Sequence, residues 1–198
     1  REYVAKMLAL NEYIDVLIPR GGEALQRMCQ KESSIPVIIG GFGISHIFVD
    51  ESADLNRCVD IIINAKTQKP SACNSLDTLL LHEKIAQKFI ELLTPKLKEK
   101  KVTVYAHGVA YDYFKDYPYL QEGKSEDLDR EFLSLAMNVK VISDVYEAVE
   151  QLRLHHASHS DAILTDSVKN AKIFTHAAGS ACVYVNASTR FSDGGQFG

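Results

Sequence analysis

One cysteine in the sequence has a setting in which its thiol could act as a nucleophile. Cys73 lies in the segment 66–74, KTQKPSACN, which joins a predicted helix to a predicted strand, and such connections commonly carry catalytic residues. Small neighbours would let a carbonyl group approach the sulfur, and free backbone N–H groups of the turn could stabilise an oxyanion. Lys66 and Lys69 would favour the thiolate if they point inward. From spacing alone, an incidental structural thiol is the alternative.

The other three cysteines lie in apolar stretches, at Cys29, Cys58 and Cys182. A buried and inert thiol is the expectation for each of them. The four cysteines form no CxxC pair, which argues against a zinc site and against a small disulfide scaffold. Reducing, cytoplasmic conditions suit all four.

Three of the seven histidines stand close together, at His155, His156 and His159. His155 and His159 have the i, i+4 spacing that can bind zinc on a helix. Serines at 158 and 160 indicate a loop instead, and no nearby cysteine or acid completes a ligand set. We therefore expect solvated or capping roles and no metal site.

The elements that must position these residues alternate between strand and helix patterns. This alternation predicts an α/β fold with a mainly parallel sheet flanked by helices. A Tyr-, Asp- and Lys-rich stretch, 112–129, has no clear periodicity and is predicted to be a surface excursion, and 40–43 a tight turn too short for a dinucleotide fingerprint. Predicted strands are 13–18, 36–39, 46–49, 77–82, 102–105, 139–142, 161–164 and 182–185, and predicted helices are 3–10, 21–32, 55–65, 83–99, 145–154 and 167–178.

Composition excludes some partners. A formal net charge of -4 over 198 residues gives no reason to expect nucleic acid or an anionic membrane surface. No apolar run approaches the roughly 20 residues that span a bilayer. The chain opens at Arg1 and closes in a glycine-rich stretch at Gly198, so we predict a piece of a longer protein.

Five segments in order resemble gamma-glutamyl phosphate reductases, a family of the aldehyde dehydrogenase superfamily. They are distributed along nearly the whole chain and include the cysteine segment. They are 13–22 (YIDVLIPRGG), 46–54 (HIFVDESAD), 64–74 (NAKTQKPSACN), 159–165 (HSDAILT) and 184–191 (YVNASTRF).

The resemblance implies a multi-domain enzyme of proline biosynthesis. Residues 1–35 would be the tail of the Rossmann-like NADP-binding domain, and 36–198 the catalytic thiol domain, truncated at its C-terminal end. The implied reaction is the NADPH-dependent reduction of L-glutamyl 5-phosphate to L-glutamate 5-semialdehyde through a thioester on Cys73. The whole protein is expected to be a homo-oligomer, either free-standing or fused to glutamate 5-kinase as a partner.

The resemblance also assigns roles to individual residues. Glu131 matches the superfamily glutamate that holds the nicotinamide ribose, with a solvated charge as the alternative. Ser188 and Arg190 match a loop that binds the amino-acid carboxylate or the phosphate, and an Arg suits either by bidentate hydrogen bonding. For Arg190 a surface cation or an inter-domain salt bridge is the alternative. Asn74 would orient the nucleophile turn, or would serve the backbone alone.

One departure from the superfamily bears on the chemistry. Hydrolytic aldehyde dehydrogenases carry a Glu before a Gly-Gly pair, and the matching residue here is Ile39, which cannot act as a general base. A reductase of an acyl phosphate needs no such base, since water would destroy its thioester. Two alternative functions remain: an aldehyde dehydrogenase that oxidises glutamate semialdehyde or a similar aldehyde, and a non-catalytic assembly module. The 198-residue chain alone is expected to be inactive and not to bind NADPH measurably.

Overall fold

The computed structural model describes residues 2–20, 23–39 and 43–192. The chain divides into two compact units, one made of residues 1–42 and 195–198 and the other of residues 43–194. The assignment of residues 1–35 to a cofactor domain and of 36–198 to a catalytic domain stays a prediction.

The first unit contains two helices, α1 (Glu2–Met7) and α2 (Glu23–Glu32), as predicted. The strands predicted at 13–18 and 36–39 are wrong, because a single parallel bridge between Leu17 and Val37 is all that forms there. Ile38, expected to be buried, is 46% exposed. A lone bridge leaves most apolar side chains of both segments without a sheet face to pack on. Residues 21–22, predicted to begin a helix, and residues 40–42, predicted to belong to a tight turn, lie outside the described residues.

The second unit is built on a seven-stranded sheet whose described pairings are all parallel, which confirms the predicted α/β class. The order across the sheet is β4-β3-β5-β2-β1-β6-β7. The strands are β1 (His46–Val49), β2 (Thr78–His82), β3 (Thr103–His107), β4 (Leu120–Glu122), β5 (Ala136–Ile142), β6 (Ser160–Leu164) and β7 (Cys182–Val185).

Helices follow most of the strands and begin at side chains that cap them. Asp54 accepts hydrogen bonds from two backbone N–H groups of the first turn of the next helix, and Asp144 and Ser167 cap two later helices in the same way. The helices are α3 (Leu55–Thr67), α4 (Glu83–Glu99), α5 (Val109–Tyr113), α6 (Val145–Leu154) and α7 (Val168–Ala177), with 3-10 helices at Ser125–Asp129 and Thr189–Phe191.

The sheet is covered on both faces, which explains why its central strands are apolar throughout. Ile47 and Leu79 belong to a core shared with α3 and α4, whereas Phe48 and Leu80 belong to a second core shared with α6 and α7. Successive strand side chains point to opposite faces, so β1 and β2 bury every residue. Two cores on one sheet hold the strand ends in fixed positions.

The stretch predicted as a surface excursion, 112–129, is mostly exposed, but it also contains regular elements of the fold. It contributes the end of α5, the edge strand β4 and a 3-10 helix. Phe114 and Tyr117 are buried, and the Tyr117 hydroxyl donates to the carbonyl oxygen of Val102 over 2.5 Å. These buried aromatic residues are spaced irregularly along the sequence, so no helix or strand periodicity indicated the elements that contain them.

A buried carboxylate ties the carboxyl ends of β1 and β6 together. Asp50 is 1% exposed and accepts hydrogen bonds from the hydroxyls of Ser52 and Thr165, each over 2.7 Å, and from the Asn170 amide over 2.9 Å. Burial alone would raise the pKa of Asp50, but these hydrogen bonds together outweigh it and lower that pKa.

We expect the contribution of Asp50 to the free energy of unfolding to depend on pH in the acid range. Since its pKa is lower in the folded chain than in the unfolded one, the contribution is complete at neutral pH and is lost as the pH falls below about 4. Urea unfolding of the native chain and of Asp50→Asn should differ in free energy at about pH 7, and the difference should shrink below pH 4. A difference that does not change with pH would contradict this assignment.

Candidate active site

Three loops converge at the amino ends of neighbouring strands. Ser45 directly precedes β1, Cys73 lies five residues before β2, and His159 directly precedes β6. The strands β2, β1 and β6 are adjacent in the sheet. The candidate nucleophile is therefore at the amino edge of the sheet, whereas open parallel sheets usually bind ligands at the carboxyl edge.

Cys73 is exposed, as a nucleophile must be. Its turn is held by hydrogen bonds from the Ala72 N–H to the Lys69 carbonyl oxygen and from the Ser75 N–H to the Ala72 carbonyl oxygen. Ser45 donates its hydroxyl to the Cys73 carbonyl oxygen over 3.4 Å. No hydrogen bond from the backbone N–H of Cys73 or Asn74 to another described residue is seen. Both N–H groups are thus available to a ligand within this part of the chain.

The histidine that was expected to be solvated contacts the thiol. His159 Nε2 lies 3.1 Å from Cys73 Sγ, although the two residues are 86 positions apart. The other ring nitrogen, Nδ1, lies 2.8 Å from the Ser160 hydroxyl oxygen. The expectation failed because sequence spacing related His159 to its neighbouring histidines and not to a residue on another loop.

Only one of the two lysines before Cys73 points into the protein. Lys66 is fully buried, and its ammonium donates to the Ala136 carbonyl oxygen over 2.9 Å. Burial lowers the pKa of Lys66 to about 8, against the opposing effect of the Asp77 charge. Lys69 is exposed. Neither makes a described contact with Cys73, so local lysines do not account for thiolate formation.

Asn74 links the nucleophile turn to the end of the chain. Its side-chain Nδ2 donates to the Ser192 carbonyl oxygen over 2.8 Å, and the residue is 4% exposed. Its Oδ1 atom is buried and has no hydrogen-bond partner among the described residues. Asn74 therefore serves the backbone and also presents one unsatisfied acceptor.

Ser188 and Arg190 stand just before that contact. Ser188 caps the short 3-10 helix and accepts a hydrogen bond from the Arg190 backbone N–H over 3.2 Å. Within the described chain, the Arg190 Nε atom and the Thr189 hydroxyl are buried without a hydrogen-bond partner. Because Ser192 is bound to Asn74, this turn is held next to the nucleophile segment.

Glu131 lies between the first 3-10 helix and β5 and is half-buried. The backbone N–H of the next residue, Phe132, donates to Asp77 over 3.0 Å, which anchors the stretch near the start of β2. Burial raises the pKa of Asp77, although Lys66 and this hydrogen bond oppose the shift. Glu131 makes an interaction of its own within the protein.

No group of three or more His, Cys, Asp or Glu residues in the described chain is arranged to hold a metal ion. Within the same residues, no helix has both the length and the apolar character needed to cross a bilayer.

Residues 45–121 match a family described as a protein of unknown function, DUF1487. Over all 198 residues the chain is 54% identical to gamma-glutamyl phosphate reductase from Vibrio vulnificus, and over 199 aligned residues 53% identical to that of Photobacterium profundum. The chain is homologous to part of a gamma-glutamyl phosphate reductase. It spans about half the length of these relatives, 47% and 48%.

Solved structures agree with this assignment. The crystal structure of gamma-glutamyl phosphate reductase from Thermotoga maritima matches 99% of this chain with a TM-score of 0.88 and 42% identity, and 47% of that chain is covered. Glyceraldehyde-3-phosphate dehydrogenase from Methanocaldococcus jannaschii, solved with NADP, matches at 17% identity with a TM-score of 0.73. The second likeness shows the aldehyde dehydrogenase-like fold alone.

We expect Cys73 to be alkylated before the other three cysteines. Cys29 and Cys58 are buried, Cys182 is half-buried, and burial, followed by Asp54 and Asp166, raises the pKa of Cys58 to about 12. A limiting amount of iodoacetamide should therefore label Cys73 first, as read by peptide mass spectrometry. Labelling of Cys73 no faster than Cys182 would show that its thiol is not the accessible one.

Proposed function

We propose that the whole protein reduces L-glutamyl 5-phosphate to L-glutamate 5-semialdehyde and releases phosphate, with Cys73 as the nucleophile. The observation that carries this proposal is the exposed thiol at the convergence of three loops, in a chain homologous to gamma-glutamyl phosphate reductases. The activity supplies a precursor of proline, and the cytoplasm is its proposed location.

In the first step the Cys73 sulfur attacks the carbonyl carbon of the acyl phosphate. A carbon–sulfur bond forms, and the bond to the phosphate oxygen breaks with its electron pair. The available N–H groups of Cys73 and Asn74 are suited to hold the carbonyl oxygen while it carries negative charge. When bound, NADPH supplies the hydride that reduces the thioester, after which the sulfur leaves and the semialdehyde is released.

The rest of the turn is suited to hold the substrate. A buried guanidinium nitrogen without a partner, at Arg190, favours a carboxylate or phosphate ligand, and Ser188 stands at the same helix end. Asn74 adds an acceptor that matches an ammonium group. The substrate α-carboxylate and α-ammonium group are the ligands that we assign to these residues.

Glu131 fits one contact to the cofactor. A half-buried carboxylate can accept hydrogen bonds from ribose hydroxyls. Two such hydrogen bonds are worth about 2–3 kcal/mol at best, and association costs at least about 4 kcal/mol. Binding of NADPH therefore needs residues beyond Glu131, which fits the proposal that 1–35 ends a separate NADP-binding domain. A homo-oligomer, and a glutamate 5-kinase partner or fused domain, complete the proposed assembly.

The second candidate is an aldehyde dehydrogenase that hydrolyses its thioester. Ile39, in the place of the general-base glutamate, argues against it. A non-catalytic assembly module is the third candidate, and the exposed Cys73 beside His159 argues against that.

The reverse reaction tests the proposal. A full-length protein that contains this sequence should oxidise glutamate semialdehyde with NADP only when inorganic phosphate is present, because phosphate must release the thioester. The Ile39→Glu variant should gain a slow oxidation without phosphate. Rapid oxidation by the unmodified protein in phosphate-free buffer would favour the hydrolytic dehydrogenase, and none under either condition would overturn the proposal.

A further inference from the structure

We propose that His159 is the base that takes the proton of the Cys73 thiol and then passes it to the departing phosphate. This inference rests on the function proposed above. It adds a second catalytic residue, from a loop 86 positions away, that contacts the reacting sulfur atom. Neither the resemblance nor the spacing of the sequence had assigned His159 a role.

The hydrogen bonds of the imidazole ring are compatible with the tautomer that this role needs. If Nδ1 carries the proton and donates it to the Ser160 hydroxyl oxygen 2.8 Å away, Nε2 has its lone pair free. That lone pair faces Cys73 Sγ at 3.1 Å, within reach of the thiol proton. We assign this tautomer because the proposed role of Nε2 as a base requires it. Ser160 is then a positioning residue that keeps Nε2 as the acceptor.

Of the other ionisable groups near the pair, two are held by hydrogen bonds and one is exposed. Asp161 accepts the backbone N–H and the ring Nδ1 of His46 and the Ser180 hydroxyl. The Lys66 ammonium is bound to a backbone carbonyl oxygen, and Lys69 is exposed. Among the described residues, His159 is thus the ionisable group that contacts the sulfur.

The helix ends near Cys73 do not supply positive potential to its thiol. At the amino edge of a parallel sheet the preceding helices present their C-terminal ends, and α3 ends at Thr67, six residues before Cys73. Helix C-terminal ends carry partial negative charge, which opposes a thiolate and favours a protonated histidine. Protonated His159 would be a cation in direct contact with a thiolate at this edge.

A glycine permits the close approach of the histidine loop. A Cβ atom on Gly43 would lie 2.8 Å from the His159 backbone nitrogen and 3.1 Å from His159 Cβ. The first distance is shorter than real Cβ contacts show and involves backbone that cannot swing aside, and the second is tighter than most real contacts. Any side chain at position 43 would therefore displace His159, which makes Gly43→Ala a way to disturb the pair without changing either member.

The proton balance of the first step is simple. Nε2 takes the thiol proton, the sulfur forms its bond to the carbonyl carbon, and the carbon–oxygen bond to phosphate breaks. The departing phosphate oxygen takes the proton from Nε2, so the imidazole is neutral again. No oxidant or reductant takes part in this step, and no further proton donor is needed.

The pH dependence of Cys73 alkylation in the 198-residue chain tests the inference without any turnover. With His159 in place, the rate with iodoacetamide should show a shoulder below about pH 8 from the thiolate–imidazolium pair. His159→Gln keeps a hydrogen-bonding side chain but cannot carry the proton. Its rate at about pH 7 should fall roughly tenfold, and its profile should rise only near about 8.5, as for a free thiol.

Matched variants separate this role from a structural one. His156→Asn, at an exposed neighbour with a positive φ that Asn tolerates, should keep the native profile, and Gly43→Ala should give an intermediate loss. An equal slowing of His159→Gln at every pH, or a native rate at pH 7, would overturn the inference. If that variant does not fold, a single rise near pH 8.5 in the native chain would overturn it. Loss of the shoulder together with an active Cys73→Ser enzyme would contradict the proposed function and leave the pair itself established.

Discussion

Replacing Cys73 by Ser in a full-length reductase that contains this sequence should lower phosphate-dependent oxidation of glutamate semialdehyde by at least about a thousandfold. The serine hydroxyl is slightly smaller than the thiol and takes its place beside His159, whose Nε2 lies 3.1 Å from the sulfur in the unmodified chain. It is, however, a far weaker acid than a thiol, and it does not form the thioester that the reduction requires. The assay is NADPH production at saturating phosphate.

Cys182→Ser is the matched control, because it makes the same chemical change at a half-buried thiol within β7. This variant should keep its activity within a small factor of the unmodified enzyme. Full activity in Cys73→Ser would contradict the covalent mechanism. A loss of activity in both variants, with intact folding, would show that the effect does not belong to one thiol.

Replacing Phe89 by Ala should lower the free energy of unfolding of the chain by about 3–5 kcal/mol. Phe89 is fully buried on α4, in the core that lies between this helix, α3 and the sheet. Removal of its ring leaves a cavity that neighbours held by two secondary structure layers cannot fill. Since a domain of this size is stable by only about 5–15 kcal/mol, the midpoint of urea unfolding should shift strongly.

Leu92→Ala, one turn along the same helix, is the control. Leu92 is 39% exposed, so its truncation should cost less than about 1 kcal/mol. Comparable losses for the two variants would contradict the claim that burial on the sheet determines the stability of α4, since Ala does not lower helix propensity at either position. Far-UV circular dichroism should show the native helix content in both variants before denaturant is added.

Much of the fold could be predicted from the sequence because local signals and tertiary structure agree. The helix at 83–99 was predicted with the bounds that the structure has, since its buried side chains recur at helical spacing. The Asp54 cap fixed the start of α3. By contrast, β5 begins at Ala136, three residues before the prediction, because Asn138 within it is polar yet fully buried. Its amide is satisfied by Thr78 and by a backbone carbonyl oxygen.

The candidate site could be predicted only in part, for a reason of geometry. Cys73 was found from its own segment, whereas its contact with His159 depends on strand order, which places β2 and β6 on either side of β1. Single-sequence patterns do not report that order. One usable signal was present: both residues stand shortly before a predicted strand of a parallel sheet, so both belong to the same edge.

The Asp50 hydrogen bonds and the Cys73 loop stand at opposite ends of the same strands. Asp50 follows β1 and Thr165 follows β6, whereas Ser45 and His159 precede those strands. Residues this far apart that share no partners usually change the free energy independently. Evolution or an engineer could therefore lengthen the connections at the carboxyl edge, or strengthen their hydrogen bonds, while the reactive loops at the amino edge keep their geometry. The strands thus separate the residues that affect the free energy of unfolding at one edge from the residues that determine the reactivity of Cys73 at the other.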